Sequence, residues 1–245
     1  NADGIKPLDS RLAEIAALKD GAGIAEYLRK TAARGENPLF GFGSEADFKN
    51  SAVKIAYAVQ GGTSLPDKTY YFDADKKAIR EAFVAHVAKV LELSGVPAAD
   101  AAAQAKQVMA FETRLARASK SQEDLSRDVS LYYNPVSLAD ADKLTPNFSW
   151  TAFVESQPVA KPEMFSLSVP GFHQEVSKML KDVPVEQWQS YLRFRLVDGA
   201  APFLSDALVQ EQFNFYSKTL SGQKEMKDLW KRVLSQMEGA AGEAM

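Results

Sequence analysis

The 245-residue sequence contains no cysteine, which removes disulfides, thiolate zinc sites and cysteine nucleophiles together. Histidine is nearly as scarce, with His86 and His173 as the only two. Because histidine is the commonest neutral general base and metal ligand, most hydrolase sites lack their usual material here. Neither histidine belongs to H-E-x-x-H, whose spacing sets two imidazoles on one helical face. No apolar run approaches the roughly 18 residues of a membrane span. Charge is also balanced: 29 Lys and Arg against 32 Asp and Glu leave −3. That balance gives no electrostatic footprint for nucleic acid. Global disorder is excluded, since 46% of the residues are hydrophobic and can form a core.

What is present is helical. Leu8, Leu12 and Ile15 mark a first helix closed near Asp20-Gly21, and Ile24 with Leu28 a second closed at Gly35. Ile79, Phe83, Val87 and Val90 share one helical face that ends at Ser94-Gly95. Pro97 suits the first turn of a long helix to about Ser119. Ser137 and Asp140 have capping-box spacing. Further helices are predicted over about 170–181, 184–200, 204–220 and 223–245. One region breaks the period: Phe40 and Phe42 alternate with glycine, and Val53, Ile55, Tyr57 and Val59 alternate with Lys54, Ala56 and Ala58. Turn-rich Asp47 to Ser51 joins them, which predicts a β-hairpin over about residues 39–60. Met164 to Val169 suits one more short strand. The expectation is a mainly α, multi-helix single domain over residues 1–245 with one small β-hairpin. Beginning at Asn1 and ending at Met245 inside an amphipathic pattern, the sequence reads as a piece of a longer polypeptide.

Local motifs carry little chemistry. Gly41-Phe42-Gly43-Ser44-Glu45-Ala46 matches the loose dinucleotide fingerprint, but the mechanism needs a helix to follow, and a turn and strand follow instead. Ser51-Ala52-Val53-Lys54 and Ser221-Gly222-Gln223-Lys224 fit S-x-x-K without the companion motifs of that chemistry. Asn147-Phe148-Ser149 is a lone sequon. His86 sits on an apolar stripe, as a core histidine does, and His173 at a helix start suggests a surface or capping role.

Two charges stand out. Glu112 falls in the middle of the stripe Ala101, Ala105, Val108 and Leu115, and Arg195 lies the same way among Trp188, Leu192 and Gly199. An isolated buried charge costs many kcal/mol, so the two read as a buried structural pair. A catalytic carboxylate or local exposure through a groove are the other readings of Glu112. No catalytic and no metal-binding residue is assigned, and the substrate-binding residues stay undefined. The last predicted helix gathers Met226, Leu229, Trp230, Val233, Leu234, Met237, Ala240, Ala241 and Ala244 in a stripe of roughly 160°, against the roughly 100° one-sided packing needs. This breadth predicts an edge left for a neighbour, or else a deep groove of its own domain.

With these residues in view, the sequence resembles the N-terminal region of the neprilysin and endothelin-converting-enzyme family of zinc metallopeptidases. The resemblance rests on Gly61-Gly62-Thr63-Ser64-Leu65-Pro66-Asp67-Lys68-Thr69-Tyr70-Tyr71 and Met109-Ala110-Phe111-Glu112-Thr113-Arg114-Leu115-Ala116. Tyr132-Tyr133-Asn134, Phe148-Ser149-Trp150 and Tyr191-Leu192-Arg193-Phe194-Arg195 follow, then Phe215 to Gly222 and Trp230-Lys231-Arg232. They occur in the family's order along nearly the whole chain. The resemblance implies a helical lid of a metalloendopeptidase that degrades small peptides, walling the reaction chamber and limiting substrate size. Zinc, H-E-x-x-H and the substrate-backbone motif are then expected in a C-terminal catalytic domain outside this segment, and the segment itself is expected to be inactive without a cofactor. The implied partners are that catalytic domain and small peptides, with no nucleic acid and no membrane span in this segment. The lack of cysteine departs from the disulfide-rich animal members and implies a bacterial, periplasmic or extracellular homologue. The alternative is a stand-alone helical interaction or scaffolding domain without peptidase activity.

Overall fold

The computed structural model describes residues 3–241, and its helices follow the apolar periodicity of the sequence. The chain opens with α1 (Asp9–Ala16) and α2 (Gly21–Ala33), then forms β1 (Phe40–Ala46) and β2 (Lys54–Gln60). The short α3 (Thr69–Phe72) leads to two long helices, α4 (Lys77–Leu93) and α5 (Ala98–Ala118). After them come α6 (Gln122–Arg127), α7 (Val129–Tyr132), β3 (Pro135–Ser137), α8 (Leu138–Leu144), α9 (Trp150–Glu155) and β4 (Met164–Leu167). Then α10 (Pro170–Asp182) and α11 (Val185–Ala200) pass back through the body. α12 (Asp206–Gln212) runs directly into a π-helix (Phe213–Leu220), and α13 (Leu229–Ala241) is the last described helix.

Caps set several of these ends. Asp20 accepts from Gly23 N to start α2, and Ser137 Oγ accepts from Asp140 N to start α8, each satisfying a backbone donor that the first turn leaves free. Gly21 has a packing role: a Cβ there would lie 2.0 Å from Leu180 O, so α2 can press against α10 only through glycine.

The core has two connected parts. In the first, α4, α5 and α11 pack together; Ala101 and Ala105 are fully buried on α5 and let backbones approach closely. Phe111 stacks on Tyr191 with centroids 4.2 Å apart, and Trp188 meets it edge-on at 4.7 Å. Fully burying side chains of this kind contributes about 1.5–3 kcal/mol each. In the second, Phe40, Phe148, Trp150 and Phe153 form an aromatic cluster that seats the sheet on α9 and α10.

The structure differs from the sequence-based expectation in the sheet, in the C-terminal helices and in the short helices α3, α6, α7 and α9, which carry too few turns to show a period. The expected hairpin is there, antiparallel from Phe40↔Gln60 to Ala46↔Lys54, but it belongs to a four-stranded sheet of order β1-β2-β4-β3. β4 joins β2 in parallel and β3 joins β4 antiparallel; three residues of β3 carry no readable alternation. The predicted helix over about 204–220 divides into α12 and the π-helix. The last helix starts at Leu229 rather than near residue 223, because Gly222 (φ +70°) ends the π-helix. Met226 therefore lies before α13, and Ala244 lies outside the described residues. Among the described residues no helix is long and apolar enough to cross a membrane.

Candidate functional site

The most unusual chemistry in the chain is buried. Gly62 adopts φ +79°, where a Cβ would stand 2.7 Å from Leu39 O and from Tyr191 Oη. This left-handed turn, which glycine adopts without steric cost, carries Ser64 into the core beside α5. Glu112, fully buried on α5, accepts from Ser64 Oγ at 2.7 Å through Oε1. Its Oε2 accepts from Ser64 N at 2.8 Å and from the Tyr71 hydroxyl at 2.6 Å. Arg195 Nη1, from α11, donates to Ser64 Oγ at 3.0 Å. The two charges that sequence singled out thus face one junction from two packed helices, joined through the Ser64 hydroxyl rather than by direct contact. Burial lifts the Glu112 carboxyl above its ordinary range, while the Arg195 charge and the donated hydrogen bonds hold it down. Tyr71 Oη itself lies 3.2 Å from Ser64 N and 3.1 Å from Leu65 N, so its proton is directed at the carboxylate. The Ser64 and Tyr71 hydroxyls both donate to the Glu112 carboxyl.

A second polar cluster lies across α11. His86 of α4 places Nε2 3.1 Å from Asp198 Oδ1 and Nδ1 2.9 Å from Glu211 Oε1. Tyr216 of the π-helix donates to Asp198 Oδ2 at 2.7 Å, and Gln212 Nε2 donates to Asp198 O at 2.9 Å. Phe215 stacks flat on the imidazole, centroids 4.7 Å apart at 13°. Sequence placed His86 in the core, where it is 2% exposed, but its partners were not visible: Asp198 and Glu211 lie 112 and 125 positions away. The one available signal was Asp198 itself, three positions beyond Arg195 on the same helix.

His173 is a correction. Its position at the start of α10 suggested a surface or capping role, yet it is 2% exposed, edge-on to Phe40 and Trp150. Burial pushes its imidazole down to about 4, which keeps it neutral. The other local motifs resolve simply. Phe40–Ala46, holding the glycine fingerprint, is an edge strand with another strand after it. The Asn147 amide nitrogen donates to Ser177 O at 2.9 Å.

Zinc does not fit the described residues. Both nitrogens of His86 are taken by carboxylates and His173 is enclosed by rings. Among the described residues no group of three or more His, Asp or Glu is placed to hold a metal ion.

Among the described residues, two open surfaces stand out. A groove of about 1090 Å³ beside the hairpin is lined by Phe42, Val53, Tyr133, Val159 and Met164 with Lys49 at its rim. On α13, Leu229, Trp230, Val233, Leu234 and Met237 are 46–66% exposed, so the broad apolar stripe is largely uncovered.

The family model described as peptidase family M13 matches residues 1–245, and the chain belongs to that family. It is 28% identical over 213 residues to rat (Rattus norvegicus) endothelin-converting enzyme-like 1, a match covering 84% of this chain and 27% of that protein. To the neutral endopeptidase of Lactobacillus helveticus it is 24% identical over 206 residues, covering 84% of this chain and 32% of the relative. Among solved structures, Mycobacterium tuberculosis zinc metalloprotease Zmp1 in its open state superposes with a TM-score of 0.92 at 31% identity, over 99% of this chain and 38% of Zmp1. The fold is also that of PepO from Lactobacillus rhamnosis (TM-score 0.79, 23% identity, 95% of this chain and 37% of that one). The chain spans well under half the length of each of these proteins.

Proposed function

We propose that this chain is the helical lid of a bacterial zinc metalloendopeptidase, one wall of a chamber that admits small peptides and keeps folded proteins out by size. The observation that carries this reading is the Zmp1 superposition, which covers 99% of this chain but only 38% of the zinc protease. The zinc and the residues that hold it would belong to the part of the parent polypeptide outside this chain, in keeping with the poor fit of zinc to the residues here. The uncovered apolar stripe of α13 supplies a surface for that part to rest on. An apolar patch of five large side chains is more than scattered surface hydrophobics account for. Residues 1–245 would act as a single unit in this arrangement, and the buried Glu112–Ser64–Arg195 junction would stiffen it rather than react. We further propose that the parent works in the periplasm or outside the cell, as the cysteine-free composition fits.

The test uses the parent polypeptide, its coding sequence read for H-E-x-x-H after residue 245. The expected result is chelator-sensitive cleavage of short quenched peptides, rates falling steeply with substrate length, and no cleavage of folded proteins. Trp230→Asp with Met237→Asp should lower that activity while the helical body stays folded by circular dichroism. A parent without the zinc motif, or one that cleaves folded proteins as readily as short peptides, overturns the reading.

A further inference from the structure

His86 stands where the segment from α12 through the π-helix meets the body. Both of its ring nitrogens face carboxylate oxygens. A carboxylate only accepts, so two such contacts need two N–H groups, and only the imidazolium has both. Three side chains of residues 206–220 converge there: Glu211 on His86, Gln212 on the backbone of Asp198, and Tyr216 on the Asp198 carboxylate. Phe215 stacks on the ring face, an arrangement that favours the cation. A π-helix is rare and concentrates at functional positions; this one stands immediately before residues 221–228 and α13.

We propose that His86 is a proton-operated latch: protonated, it clamps α12 and the π-helix onto α4 and α11; neutral, it releases Glu211 and lets residues 206–220 open. The asymmetry follows from burial. Asp198 is the deeper carboxylate and is held from its other side by Tyr216, so the single N–H of a neutral ring stays with it. Glu211 has 19% of its side chain exposed and can turn to water. The charged groups around the ring agree with this order. From α11 come Asp198 and Arg195, whose charge faces Asp198 and Tyr216; from α12 comes Glu211; from the π-helix, Tyr216. α5, on another side of α4, turns in Glu112, which is engaged by Ser64 and by Tyr71 of α3. At the N-terminal end of α4, Asp75 and Lys76 pair with each other.

Burial lowers the proton affinity of His86, and the two carboxylates more than reverse it, so its pKa stands above the ordinary 6.5. Latch stability is therefore complete below about 6.5 and fades as pH rises through the higher folded value. The window begins near neutrality.

The test is hydrogen exchange of the full 245-residue chain at about pH 5.5 and about pH 8.5, which bracket histidine titration, with intrinsic exchange rates divided out. Amides of residues 206–220 should lose protection at the higher pH, while those of α5 do not change. Having only two histidines makes the proton NMR titration direct: His86 should titrate above 6.5. Glu211→Gln, a conservative change at the rim, should lower that titration and flatten the exchange difference. Equal protection at both pH values, a His86 titration at or below 6.5, or an undiminished pH effect in Glu211→Gln would each overturn the latch. These readouts use this chain alone and stand or fall independently of the peptidase reading.

Discussion

Ser64 Oγ donates to Glu112 across 2.7 Å while accepting from Arg195 at 3.0 Å, so one hydroxyl from a loop couples opposite charges on two packed helices. Removing Glu112 leaves the donors of Ser64 and Tyr71 unpaired and takes away the carboxyl that Arg195 faces through Ser64. Glu112→Ala is expected to cost about 3–5 kcal/mol in urea unfolding. Ser64→Ala, which leaves both charges but takes away their bridge, should cost about 1–3 kcal/mol. The double variant Glu112→Leu with Arg195→Met should lose less than the sum of its single changes. Strict additivity would show that the bridge carries no coupling.

Gly62 and Gly43 make a controlled pair. A Cβ at Gly62 meets two oxygens at 2.7 Å under φ +79°, whereas at Gly43 it meets nothing within 4 Å. Gly62→Ala is therefore expected to destabilise by more than about 1 kcal/mol and to weaken the Ser64 network with it. Gly43→Ala should be neutral or mildly stabilising. Thermal melts of the two variants side by side decide the matter.

His173 gives the fold an acid weakness. Its imidazole is neutral in the core at about 4, against 6.5 unfolded. A depressed pKa on a base means full stability above 6.5 and progressive loss as pH falls toward about 4, about 3 kcal/mol in all. His173→Phe cannot take up that proton, so its stability should vary less between those two pH values than the parent sequence. A parallel decline in both proteins would point to other groups.

The uncovered face of α13 predicts self-association of the isolated chain. Trp230 is 64% and Met237 53% exposed, and exposed apolar patches of this size seek partners. Sedimentation velocity should show reversible association that rises with concentration, and Trp230→Lys with Met237→Glu should abolish it without shifting the melting temperature. A strict monomer at high concentration in the unmodified chain contradicts this.

Much of the helical body is legible in the sequence. The stripes Phe83, Val87, Val90 and Ala101, Ala105, Val108 bury as their spacing implied, because a helix turns a local period into one apolar face. Glu112 could be singled out for the same reason: a carboxylate in mid-stripe must find donors. The hairpin, too, followed from alternation and a turn.

The partners of the buried charges were decided only by tertiary structure. Ser64 reaches Glu112 from 48 positions away through a glycine turn, and His86 meets carboxylates more than a hundred positions distant. β4 pairs with β2 across the long helices α4 and α5, and His173 is covered by rings from other elements. Periodicity is a local property of the chain and tells which side chains leave water. Which polar group waits for each of them depends on how loops and helices far apart in sequence pack, and no local period encodes that.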